Sequence, residues 1–581
     1  MSDEASIEGK RKMFERYPML FAAGLIIIVV SLGLMGWRQL NEQTRLAEIF
    51  AGRGASSPSS VYLAANQLEL ALSHVIEQLI FVGLAFLKLG IGFSIAVIAL
   101  HLKETGQKSL DSFRRAGVLS GLPPMQEPWF TKFPKFLLAG FSIVVFFFAL
   151  SLLWAYNEYV PFGDQVTTRM TLEAIIKPGK MIGTALLLLG IGSGLATIVA
   201  NLRMQAHALP RLAVAAARGK KSNPAQLMPE TPFPRALFAP LFLGLAVVVT
   251  AYVPVAWILA WNRYANLSSA GWSSVGAESL EVVLEHWIES YVVMGVSILL
   301  FGIGFWLLAI IRLLRVQREQ FMGALGDLSG TKPTPMASPS RAVRMIRALF
   351  SLGLAIVLGS LALTVVWIGA GLQAVQTGSA SSVLADHQWE AFIKPFKFSG
   401  LGLIFLGIGV ALSLIVINLN MLSMALPGVF ARFGEAAQGR TPKPLEVPNV
   451  NPMKLFPKKL FMGILAGFLL VITATFPLGW PLRVETFATF LGANLTTDVA
   501  AQSALSLERF LEHLILPYKL AGLAIIFYAI GRYFTTIIGF VRARKVIVTE
   551  GVAAIATFRT EPVSSPKEDP APSSEQEPAA S

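Results

Sequence analysis

Residues 79–102 read LIFVGLAFLKLGIGFSIAVIALHL. A helix needs about 20 apolar residues to cross a hydrocarbon core roughly 30 Å thick. In lipid every backbone polar group must be satisfied within the span, so a run of this kind is an α-helix. The centre of the stretch, Leu89-Gly-Ile-Gly92, returns as Leu189-Gly-Ile-Gly192, Phe301-Gly-Ile-Gly304, Leu406-Gly-Ile-Gly409 and, altered, as Tyr528-Ala-Ile-Gly531. Nine residues before the last glycine of each stands another glycine: Gly83, Gly183, Gly295, Gly400 and Gly522. Self-similarity at a fixed period is the mark of a repeat architecture.

Outward from these five segments, apolar runs are found near 18–37, 79–102, 134–156, 180–202, 235–261, 290–314, 347–372, 397–420, 460–480 and 517–541. The sequence therefore predicts an all-α integral membrane protein of about ten transmembrane helices. These are arranged as five tandem two-helix repeats, roughly 17–115, 116–220, 221–330, 331–440 and 441–545. A two-helix unit returns the chain to the side it started from, so all copies share one orientation, unlike the inverted repeats of many coupled transporters. Both a closed pseudo-five-fold bundle and an open arc fit this pattern. Residues 1–16 form a cytoplasmic N-terminal segment and 546–581 a cytoplasmic tail. From about 561 the tail is rich in Pro, Ser, Ala and Glu and is expected to be disordered.

Composition agrees. Of 581 residues 54% are hydrophobic and 14% charged, and the mean hydropathy is +0.61; soluble domains carry about a quarter charged residues. The chain has no cysteine, which excludes disulfides, thiol catalysis and iron–sulfur ligation. Lys10, Arg11, Lys12 and Arg16 precede the first apolar run as in a secretory signal, but Pro18–Trp37 is long for one and lacks an Ala-x-Ala ending, so it reads as a retained helix. The net charge of +13 is concentrated in short segments after the even-numbered spans, including Lys103, Lys108, Arg114 and Arg115, then Arg211, Arg218, Lys220 and Lys221. Glu278, Glu281, Glu285 and Glu289 lie on the opposite side. The positive-inside rule then makes both termini and the basic loops cytoplasmic, in what reads as a bacterial inner membrane. Those loops lack interleaved aromatics and suit anionic lipid rather than nucleic acid.

The glycines read as packing positions. Gly83 and Gly90, seven apart, share a helix face, as do Gly183 and Gly190, Gly295 and Gly302, and Gly400 and Gly407. Small residues at that spacing let another backbone approach closely in lipid. Gly92, Gly192, Gly304, Gly409 and Gly531 point to another face, predicting a second neighbour for each even helix. The odd spans end near Trp37, Trp154, Trp257, Trp367 and Trp480, where an amphipathic ring suits the membrane interface.

Chemistry is sought where the copies differ. Repeats one and three carry His-x-x-Glu, at His74/Glu77 and His286/Glu289, and His513 occupies the histidine column in repeat five. Histidine and glutamate three apart share a helix face and are weak candidate metal ligands; the alternative is an interfacial amphipathic helix with a solvated polar face. Repeats two and four instead carry Ile-Lys-Pro at Ile176–Pro178 and Ile393–Pro395. Lys88 lies near mid-span where the other copies have Leu188, Leu300, Phe405 and Phe527. An intramembrane cation is a transport or pore candidate by default, and snorkelling is its plain alternative. No acid lies deep in the spans, which argues against a proton- or sodium-coupled carrier. No Walker loop, dinucleotide fingerprint or His-Glu-x-x-His is present, no cofactor is evident and no catalytic residue stands out. The readings, in order, are passive or facilitated passage of a solute, a structural or accessory subunit with membrane-protein partners or self-association, and a metal-dependent membrane enzyme.

Overall fold

A computed structural model describes residues 2–54, 57–120, 128–157, 165–222, 232–251, 274–330, 340–443, 452–476 and 480–557. Twelve α-helices are used below: α1 Ser2–Phe14, α2 Tyr17–Phe50, α3 Ser60–Arg115, α4 Phe133–Asn157, α5 Gln165–Ala217, α6 Ala239–Thr250, α7 Ser274–Ser329, α8 Ser340–Thr377, α9 Ala380–Ala437, α10 Lys458–Thr475, α11 Pro481–Phe490 and α12 Val499–Thr557. Among the described residues eight helices are long and apolar enough to cross a bilayer. The two further expected spans coincide with α6, which ends at Thr250 where the description breaks off soon after, and with the 18-residue α10. Trp257, the proline-rich connectors at 122–127 and 444–448, and the tail from 558 lie outside the described residues.

Burial separates two classes of helix. In the apolar windows of α3, α5 and α9, 89% of residues are buried; in those of α2 and α4 only 22% are. The outward faces of the second class carry Met19, Ile26, Val29, Phe146, Leu352 and Val365, all more than half exposed. Exposed large hydrophobics in this density are compatible with a lipid-facing surface.

The five inner helices contact one another in a cycle: α3 with α5, α5 with α7, α7 with α9, α9 with α12, and α12 with α3. Each outer helix packs on the inner helix that follows it in the chain and on the inner helix of the preceding hairpin, and α2 closes onto α12. One glycine contact recurs five times. A Cβ on Gly140 would meet the Gly183 carbonyl at 2.6 Å, and Gly24 with Gly83, Gly244 with Gly295, Gly353 with Gly400 and Gly467 with Gly522 make the same backbone approach. The second glycine face meets the next hairpin: Gly92 against Leu137, Gly192 against Leu241, Gly304 against Phe350, Gly409 against Ile464 and Gly531 against Phe21. Within four of the hairpins Gly90, Gly190, Gly302 and Gly407 lie against Phe21, Leu137, Leu241 and Phe350. Thus a single apolar side chain on each of these outer helices fills the glycine notches of two inner helices.

The inner helices are much longer than a membrane span. The 56 residues of α3 extend roughly 84 Å at 1.5 Å per residue, against the span of residues 79–102 that the sequence predicts. Two expectations change. The amphipathic segments before residues 79, 290 and 397 are continuous with the spans, not separate interfacial helices. Lys103 to Arg115 stand on a helical extension, not in a loop. Glycine ends four of these extensions with positive φ, at Gly117, Gly219, Gly330 and Gly439, a C-terminal cap only glycine adopts readily. The extensions pack on one another through a second apolar cluster that includes Phe113, Leu212, Phe321, Leu426 and Phe433.

Candidate functional site: the axis of the inner helices

One helix face points into the middle of the cycle, and its residues form layers. Ile98, Ile198, Ile310, Ile415 and Ile537, one from each inner helix, line a single cavity. The next layer holds Leu102, Leu202, Leu314, Leu419 and Val541. The cavity is about 30 Å³, room for on the order of two water molecules, and its lining is apolar except for Arg544 at its C-terminal end; the apolar part favours a dry state. It is an apolar neck, closed in this structure.

Towards the N-terminal ends of the inner helices the same face turns cationic. Lys180, Lys397 and Lys519 stand before Ile198, Ile415 and Ile537 by a spacing of about five turns, which returns to the same helix face. Pro178, Pro395 and Pro517 precede that stretch, so no proline kink intervenes. Lys180 of α5 pairs with Glu77 of α3 and lies over the Phe81 ring. Lys397 of α9 is fully buried with Nζ 2.8 Å from Glu289 of α7. That approach is too oblique for a good hydrogen bond, since Nζ has no geometrically sound acceptor, so the contact is one of charge. Lys394 donates to Glu390 at 2.5 Å.

Of the four lysines buried among the described residues, Lys88 and Lys519 have no ion pair. Lys88, 5% exposed, sits over the Phe527 ring of α12 at 5.3 Å. Phe527 in turn meets Phe405 of α9 edge-on; these are three members of the one column that differs at Lys88. Lys519 lies over Phe398 at 5.1 Å. A cation over a ring face is attracted by about 0.5–2 kcal/mol, which only partly offsets the loss of water around an ammonium. Lys88 does not snorkel: it stays between two inner helices. Arg532, by contrast, is exposed.

The candidate metal ligands are not brought together. His74 stacks on Trp154 of the next hairpin with centroids 3.5 Å apart, and His286 stacks on Trp367 at 3.8 Å while approaching Asp386 at 3.5 Å. His513 Nε2 lies 3.2 Å from Glu69 and Nδ1 3.1 Å from Gln39 of α2. Glu77 and Glu289 are engaged by lysines, and no group of three potential ligands occurs among the described residues; the Glu285 side chain lies outside them. The histidines are joints between hairpins. Their ring partners correct one reading: Trp154 and Trp367 are buried, whereas Trp37 and Trp480 are exposed as interface residues would be.

At the C-terminal side of the neck the axial face becomes polar again, with Thr105, Gln205, Gln317 and Arg544 at one register position and Leu422 completing it. All five are buried. Sequence reading missed Lys180, Lys397, Lys519 and Arg544. Aligning every column of the inner helices to the Gly-Ile-Gly motif, rather than those around His-x-x-Glu alone, would have found them. Compared with known proteins, the chain matches no family, no curated protein and no solved structure.

Proposed function

We propose that the chain is a ten-span membrane protein of five tandem hairpins, closed into a ring, that passes a small anion along the axis. The observation that carries this reading is the layered axial face: lysine-rich at one mouth, where Lys88 and Lys519 have no paired acid among the described residues, narrowed by five isoleucines, and polar again beyond. Rings of cationic side chains favour anions, and hydrophobic constrictions gate by excluding water. The absence of carboxylates from the neck fits an uncoupled route. The basic C-terminal ends of the inner helices, including Lys108, Arg114 and Arg115, support a cytoplasmic location for that end, both termini with it, in a cell membrane whose anionic lipids they would meet.

The test is flux in liposomes holding the purified protein, over a panel of small anions, cations and neutral solutes. Anion flux above empty liposomes, reduced several-fold by Lys88→Leu, is expected. Equal fluxes for wild type and Lys88→Leu across the whole panel would remove the reading. A second reading, a structural subunit that organises other membrane proteins, is favoured by the tightness of the neck. It predicts no flux for any solute and a stoichiometric partner, or self-association, after extraction in mild detergent.

A further inference from the structure

Arg544 is the only member of its layer with a formal charge, and its position is unusual. It stands on α12, yet its Nη2 donates at 3.0 Å to Oε1 of Gln205 on α5. Since α5 and α12 are not neighbours in the cycle, the guanidinium reaches across the axis. The side chain is 2% exposed, has no ion pair among the described residues, and its Nε and Nη1 have no acceptor. Gln205 is held in turn, its Nε2 donating to the Leu102 carbonyl at 2.6 Å. At the equivalent position on α7, Gln317 is 1% exposed, with neither amide atom hydrogen-bonded. This layer lies between two apolar plugs: the isoleucine and leucine neck before it and the Phe113–Phe433 cluster after it.

A buried cation with idle donors and no counter-charge is not a stable arrangement in itself. We propose that Arg544, fixed across the axis by Gln205 and level with the unpaired Gln317 of α7, is a binding site for one small monovalent inorganic anion of halide or nitrate size. One guanidinium neutralises one negative charge, its two idle nitrogens and the Gln317 amide carry free donors, and the adjoining space, which Arg544 itself lines, is small at about 30 Å³. The site does not depend on passage along the axis: an anion held here would fix the ring as a structural ion even if nothing is transported.

The experiment uses the full chain in detergent, with chloride as the probe and gluconate as a counter-anion too large for the site, at constant ionic strength. Thermal unfolding is followed as chloride replaces gluconate. A saturable rise in Tm is expected, with at least a tenfold weaker apparent affinity in Arg544→Gln and Gln317→Leu. The rise should persist in the Lys88→Leu/Lys519→Leu double variant. If Arg544→Gln does not fold, Gln317→Leu alone decides by the same readout. No chloride-dependent rise in wild type means the donors hold water only and overturns the proposal, as does a rise unchanged in Gln317→Leu or lost only when the mouth lysines are removed. A positive result with no flux in liposomes would leave the anion site standing and the passage reading refuted.

Discussion

Lys88 illustrates how one residue can oppose the fold that contains it. Its column is otherwise Leu188, Leu300, Phe405 and Phe527, so the apolar alternative is already present four times in the same molecule. Only the Phe527 ring partners the ammonium among the described residues. Replacing an unpaired buried charge by an apolar side chain that packs in the same place should stabilise the fold, by about 1–4 kcal/mol on the precedent of buried ion pairs. Lys88→Leu is therefore expected to raise the Tm in detergent while lowering anion flux, the trade expected of a functional residue. A fall in Tm would mean that Lys88 is structural. The sequence exposed Lys88 because it interrupts an apolar run. It concealed Lys180, Lys397 and Lys519, which stand at the ends of spans where lysine commonly snorkels, and Arg544, which sits between Arg542 and Lys545 in a basic cluster that reads as topology. Burial separates them: Arg542 is exposed and Arg544 is not.

Each helix pair is held by backbone approach, and the glycines at which that approach occurs differ sharply from glycines elsewhere. At Gly140 an added Cβ would lie 2.6 Å from the Gly183 carbonyl and 2.8 Å from the Leu187 amide nitrogen, both backbone atoms that cannot swing aside. At Gly33 nothing lies within 4 Å. Gly140→Ala should therefore cost about 1–3 kcal/mol through overpacking, and Gly33→Ala on the lipid-facing helix should be neutral or slightly favourable. Thermal unfolding of the two variants side by side checks this, and equal effects would contradict the packing account. The inner-helix glycines were legible because they recur beside a distinctive Ile-Gly pair. Their partners Gly24, Gly140, Gly244, Gly353 and Gly467 were not, since no motif common to the five runs marks them. The five neck isoleucines were hidden for a related reason: in a lipid-crossing helix an isoleucine facing the axis has the same neighbours in sequence as one facing lipid.

For the whole molecule, five-membered recurrence has consequences that a single hairpin cannot have. Gly531 in the last inner helix meets Phe21 in the first outer one, and His513 reaches Gln39, as Gly92 meets Leu137 and His74 meets Trp154 between the first two hairpins. The chain's last interface repeats its first, a point on which the sequence left ring and arc both open. Closure places the isoleucines around one axis, and the account stands on that axis being an anion path shut by a dry neck. The most direct test records current across a planar bilayer holding the Ile198→Ser/Ile310→Ser/Ile537→Ser variant under a tenfold salt gradient. Hydroxyls in the neck should wet it, raising the conductance well above that of the wild type, with a reversal potential close to the equilibrium potential of the anion. A silent variant, or a reversal potential close to that of the cation, would contradict the account.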